Sequence, residues 1–347
     1  MALAIGNEPR DDFYAIELAA AAHKLVTEVR PIRPGQQVLI SVDTAGDSRA
    51  ARATAAAVHA VGGVPTLITY PTLPEPMREP PRPLAQAALG ADVWFDFAVA
   101  YQLYSHAFRA AVTQGCIYVC LTGMDAGMMV RTIGQVSHAS LEEMAVALYR
   151  LSQAAQTIHL TTEAGTDLRL TIDKKGDPFF EEEQMGGFAQ MLGGQSWPMA
   201  FRESFEGVLV FDGAIWPPAE IGVLRSPVTL TIEQGRVTRV EGGAEASMYE
   251  RWLRTFEHPA VMLMDHACYG FNPGVTRPSG RILEDERIFG CMQFGIGATE
   301  LGSPIHSDGV VLAPSVWFDD VLIEDAGRYV HPEISRLCRE MGVRGYR

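Results

Sequence analysis

The chain lacks any long apolar run. No segment approaches the ~18 uninterrupted apolar residues of a bilayer-crossing helix, so no membrane span is expected. Positive charge is scarce: 28 Lys and Arg stand against 42 Asp and Glu, for a net charge of −14. That balance excludes the basic face that nucleic acids require, and argues equally against an anionic membrane surface. The basic residues Arg30, Arg33, Arg49, Arg52, Arg78 and Arg82 are scattered, as on a solvated surface. CxxC pairs are missing. The five cysteines, Cys116, Cys120, Cys268, Cys291 and Cys338, are an odd count, so reduced thiols in a cytoplasmic protein are expected. Cys116 and Cys120 lie within CIYVCL and read as buried and inert rather than zinc-binding. The opening MALAIGNEPRDDF has no basic start followed by an apolar core, so a secretory signal is not expected.

A chain of 347 residues is long for one core, and two domains are the default. Residues 12–30, 47–61, 84–92, 106–115 and 141–155 carry helical spacing, while 33–43 is a turn feeding a short apolar strand and 64–70, 93–99 and 116–121 are short apolar runs. Strands alternating with helices predict βαβ units and a parallel sheet covered on both faces. Neither GxGxxG nor GxxxxGK[ST] follows any of these strands, which removes the usual signal for nucleotide binding. Beyond residue 155 the pattern turns to strand and turn. IHLTTEAGTDLRLTIDKKGDP predicts strand, turn, strand with DKKGD as the turn, and IEQGRV predicts a hairpin. Helices are expected over ASMYERWLRTFEH and Pro332 to Met341. The fold class is therefore α/β: a parallel βαβ domain over residues 1–155, then a mixed, mostly antiparallel α+β metal-binding domain over 156–347.

Most of the nine histidines have bland positions in helices or near element ends. His306 differs, because SPIHSDGVV places it two residues from Asp308. In an extended segment such residues point the same way, so an imidazole and a carboxylate converge. His266 follows the apolar stretch VMLMD and precedes the glycine-containing turn ACYGFNPG, a usual ligand position. Two His and one Asp are the facial triad of non-haem Fe(II) oxygenases, which leaves coordination positions open for substrate and dioxygen. A structural histidine hydrogen-bonded to a carboxylate is the competing reading, and spacing alone leaves both open.

The segments EAGTDLRL (163–170), EGVLVFDGAI (206–215), FNPG (271–274), LEDERIFG (283–290) and SPIHSD (303–308) occur in the order found in the thermophilic metallo-aminopeptidases, which the C-terminal half resembles. The resemblance implies a two-metal site, but Gln195, His266 and Gln293 fall where that family has glutamate, glutamate and histidine, and Glu300 falls near its tyrosine. The chain also resembles the 2,5-dihydroxypyridine 5,6-dioxygenases, which hold one Fe(II) with a His and a later HxD. Those positions match His266, His306 and Asp308. This implies one Fe(II) per chain (Zn or Mn being the alternatives), a small hydroxylated N-heteroaromatic substrate, O2 as co-substrate, and a homo-oligomer, dimer or larger. Tyr104 and His106 fall near a His-Ser pair of the dioxygenase pocket, and are expected to contact substrate or move a proton. Their competing reading is a packed aromatic and a surface histidine. Arg277 is a candidate partner for an anionic substrate group. Gln293, Gln195 and Glu300 are expected near the metal as outer or substrate contacts. The rival function is a metal-dependent hydrolase of aminopeptidase, amidase or deaminase type, for which Glu300 is the local candidate base. A third is a non-catalytic protein that binds a small aromatic.

Overall fold

The computed structural model describes residue 12, residues 14–175 and residues 190–346. These fall into two compact units, one formed by the described residues up to 135 together with 190–191, the other by 136–175 and 192–346. The division after Gln135 precedes the expected boundary at 155. Its reason is the helix His138–Ala154, whose Leu141, Met144, Ala145 and Leu148 belong to the core of the second unit.

In the first unit, five parallel strands run in the order Val64–Tyr70, Gln37–Asp43, Val93–Asp96, Ile117–Cys120, Gln190–Met191. The inner strands are buried along nearly their whole length, as the near-continuous apolar runs require. Helices at Ala15–Lys24, Ser48–Ala60, Arg82–Ala88 and His106–Thr113 match the periodic segments. Asp47 and Ser105 cap two of them, each accepting from a backbone N–H of the first turn. The helical segment from Ala126 to Gly134 and the edge strand Gln190–Met191 were not anticipated. All five cysteines, Cys116 and Cys120 included, are buried, and none is in a disulfide.

The second unit holds an eight-stranded and a six-stranded sheet, in each of which every neighbouring pair is antiparallel. Leu160, Leu168, Leu209 and Phe211 of the larger sheet join Ala267, Tyr269, Phe294 and Val311 of the smaller in one core. Alternation then turns the neighbours of those residues to the opposite face of the smaller sheet. The expected hairpin between Ile232 and Val237 is present. The hairpin formed by Thr157–Thr161 and Asp167–Thr171 turns over 162–166, not at DKKGD, which begins after its second strand; Gly176 and Asp177 lie outside the described residues. Among the described residues no helix is long and apolar enough to cross a membrane.

Candidate metal centre

Three adjacent strands of the six-stranded sheet build the centre: Met264–Gly270, Cys291–Ile296 and Ser307–Leu312. Their registers pair His266 with Gly295, and Gly295 with Asp308. These three residues therefore form one row on one face. His306 lies two residues before Asp308 and contacts it, Nε2 to Oδ1, at 3.1 Å. His266 sits inside its strand, not at a strand end, and the strand continues to Gly270, through the first half of the segment read as a turn.

The middle residue of the row has to be glycine. A Cβ on Gly295 would lie 2.5 Å from Cε1 of His266 and 2.7 Å from Cε1 of His306. Freed of that atom, the two imidazoles stack with centroids 5.1 Å apart and an interplanar angle of 23°. Each ring has a carboxylate at both edges. At one edge, Asp308 Oδ1 is 3.1 Å from His306 Nε2 and 3.5 Å from His266 Nε2. At the other, Asp265 Oδ2 is 3.0 Å from His266 Nδ1 and 3.6 Å from His306 Nδ1. Asp265, His266 and His306 bring their donor atoms within 4.8 Å of one another, close enough to hold a metal ion.

Asp265 was not among the expected site residues, and period-two alternation would turn it away from His266. The ladder explains its position. Met264 pairs with Ile296 and His266 with Gly295, which leaves Asp265 as the extra residue of a β-bulge. Bulges re-aim side chains and are frequent beside functional sites. Arg202 supports this bulge, its Nε donating to the Met264 carbonyl at 2.8 Å.

Electrostatics follow from this crowding. Burial alone would lower the His306 imidazolium, but Asp308 and Asp265 pull it up to about 10. Burial likewise opposes a charged His266, and Asp265 raises it. Asp265 resists its own burial through His266, His306 and Arg202 and stays below the usual carboxylate range. The pocket favours positive charge at both rings, the electrostatic demand that a divalent cation meets. A carbonyl can only accept, so Gly297 O, 3.4 Å from His306 Nδ1, places a proton on Nδ1 and turns Nε2 toward Asp308.

Gln293 lies fully buried against the row, its Oε1 3.1 Å from His266 Nε2 and its amide donating to Asp308. Gln195 is also buried, and donates to Glu286 Oε2 at 2.8 Å. Glu300 is half-exposed and its carboxylate pairs with Arg202. Arg277 is exposed on the loop after FNPG. Tyr104 and His106 belong to the first unit. The His106 ring is 95% exposed and held 2.9 Å from Glu79, as the surface-histidine reading has it. Tyr104 packs edge-on against Phe108.

A stacked pair of imidazoles between carboxylates, on the antiparallel sheet of a chain that also folds a parallel βαβ unit, defines a metal-dependent class of two-unit α/β protein. Within that class the chain belongs to the 2,5-dihydroxypyridine 5,6-dioxygenase family, whose sequence pattern it matches over residues 19–331. A curated 2,5-dihydroxypyridine 5,6-dioxygenase of Pseudomonas putida is 29% identical over 212 residues, 55% of this chain. That match spans 59% of the length of the curated relative. The structure of 2,5-dihydroxypyridine dioxygenase from Pseudomonas putida superposes with a TM-score of 0.73 at 20% identity, covering 92% of this chain and 98% of that one. AmpT of Thermus thermophilus, an aminopeptidase, superposes at 0.65 and 14% identity, covering 92% of this chain and all (100%) of its own. Both share the fold.

Proposed function

We propose that this chain is a ring-cleaving dioxygenase that uses one Fe(II), held by His266, His306 and Asp308, on a small hydroxylated N-heteroaromatic such as 2,5-dihydroxypyridine. The observation that carries this reading is the row across three strands, in which both Nε2 atoms face Asp308 Oδ1 within 3.5 Å. Two imidazoles and one carboxylate suit Fe(II) and leave positions open for two further ligands. Family membership supports the same chemistry.

Fe(II), when bound, supplies the one-electron chemistry that couples an electron-rich ring to O2. The chain does the rest. Asp265 accepts from Nδ1 of His266 at 3.0 Å and lies 3.6 Å from Nδ1 of His306, and in this reading it orients both rings as an outer partner. Gln293 holds Asp308 through its amide. Burial of His306, Asp308 and Gln293 keeps bulk water from the inner edge, while His266 remains the more accessible side. The hydrolase rival is less favoured, because its local candidate base Glu300 is paired with Arg202.

The test is anaerobic loading with Fe(II), Zn(II) or Mn(II), followed by an oxygen electrode and a hydrolysis assay. Oxygen uptake with 2,5-dihydroxypyridine in the Fe(II) form alone is expected. Hydrolysis in the Zn or Mn form without oxygen uptake in any form sinks the dioxygenase reading.

A further inference from the structure

Glu286 was no part of the expected site, although it lies within the LEDERIFG segment. Gln195 pairs with Gly270, and Gly270 pairs with Cys291. This second row sits four residues along the strand from His266 and therefore on the same face of the sheet. Gly270 has no side chain to obstruct that face. A Cβ there would lie 2.7 Å from the Glu286 carbonyl and 2.6 Å from that of Ile288, so the chain crosses directly over the sheet. Glu286 is thus suspended above the strand that carries His266.

Its side chain is held firmly. Gln195 Nε2 donates to Oε2 at 2.8 Å and Arg287 Nη1 donates to the same oxygen at 2.9 Å. Arg287 is itself wholly buried, with Nε and Nη1 anchored on the carbonyls of Leu192 and Leu283. Both side-chain hydrogen bonds fall on Oε2, which leaves Oε1 for another partner. The buried Gln195 Oε1 and Arg287 Nη2 have no hydrogen-bond partner among the described residues. The charged and titratable groups around Glu286 are Asp308, His266 and Arg287, with Cys268 and Cys291 alongside. Burial and Asp308 push its carboxyl up, against Arg287, His266 and Gln195.

We propose that Glu286, set in place by Gln195 and Arg287, accepts the proton of a substrate hydroxyl as the ring binds at the His266–His306–Asp308 centre. The proposal rests on the dioxygenase reading above. In this step the substrate O–H bond breaks, its electron pair stays on the ring oxygen, and the proton forms an O–H bond on Glu286. The ring enters as a neutral hydroxypyridine and is held as its anion, the more electron-rich form. A merely structural Glu286–Arg287 pair makes no such demand.

The test compares the Fe(II)-loaded wild type with Glu286→Gln under anaerobic conditions, titrated with 2,5-dihydroxypyridine. The ring absorbance reports whether the bound form is neutral or ionised. The wild type should bind the ionised ring to a lower pH, with the midpoint raised by at least about one unit in the variant, equivalent to about tenfold weaker binding of the anion near pH 6. Iron content should stay unchanged, and oxygen uptake should fall by about 10²-fold or more. Gln195→Ala, which keeps the carboxylate and removes one of its holders, should move the midpoint less and in the same direction. An unchanged midpoint in both variants overturns the proposal while leaving the dioxygenase reading intact, and so does loss of iron or of folding in Glu286→Gln with no midpoint shift in Gln195→Ala. Failure of the wild type to bind the ring overturns both.

Discussion

Each unit buries carboxylates, and the two do so differently. In the parallel-sheet unit, Asp96 accepts from Ser41 Oγ at 2.8 Å, Tyr118 OH at 2.6 Å, Gln102 N at 3.0 Å and Ala98 N at 3.2 Å. Its hydrogen-bonding capacity is filled by its own unit. In the antiparallel unit, Asp265 and Asp308 crowd two imidazoles whose rings stack. There the shortage is of positive charge. A completed network specifies a fold. A network that converges acceptors and lone pairs on one point specifies a ligand.

His306→Ala tests that distinction with the largest expected effect. It should abolish metal binding and turnover together. Fe(II) at about a hundred times its Kd should stabilise the wild type by about 2.7 kcal/mol and the variant not at all, as read by thermal unfolding with and without metal. Retention of the metal would remove the centre from this sheet. Gly295→Ala comes next. Its Cβ intrudes between the rings, and metal affinity should fall by about 10–100-fold with the remaining donors intact. An unchanged metal titration would mean that the stacked geometry is not what binds.

Asp96→Asn addresses the other half of the comparison. The new amide sets a donor against the Gln102 N–H and the Tyr118 hydroxyl, so stability should fall by about 1–3 kcal/mol. Metal content and turnover should not change. Urea unfolding beside a metal assay reads both, and a loss of metal would erase the difference between the two networks.

Periodicity exposed the parallel strands because each is a short apolar run separated by a helix, and it exposed His306 with Asp308 because period two aligns them. It failed at Asp265 for a definite reason. A bulge adds one residue and reverses the side on which that residue appears, and nothing in MLMDHAC marks a bulge. Glu286 was equally hidden, since its place depends on Gly270 letting a distant segment lie across the sheet. The resemblance placed Glu300 near the metal, and nothing in the sequence marks that Arg202, far back in the chain, pairs with its carboxylate. The boundary at 155 followed a change in texture, whereas the helix His138–Ala154 packs by its apolar face with what comes after it.

A third carboxylate refines the comparison further, through the pH dependence of stability. Glu324, in the strand Val321–Asp325, is fully buried, and neither oxygen has a hydrogen-bond partner among the described residues. It has neither the donors of Asp96 nor the imidazoles of the metal centre. Burial alone pushes its carboxyl well above the ordinary range. The folded chain therefore keeps a proton that an unfolded glutamate has lost above about pH 4.3. Unfolding releases that proton, so this contribution to stability is complete below about pH 4.3 and declines as pH rises, by about 1.4 kcal/mol per pH unit, until the folded group ionises. Glu324→Gln cannot titrate. It should match the wild type near pH 4 and exceed it at about pH 8, with a flatter profile between. Urea midpoints measured from about pH 5 to about pH 8 decide the matter. If the variant keeps the wild-type slope, a different group carries the pH dependence, and an unpartnered buried carboxylate would then be no weaker in this fold than one with four donors.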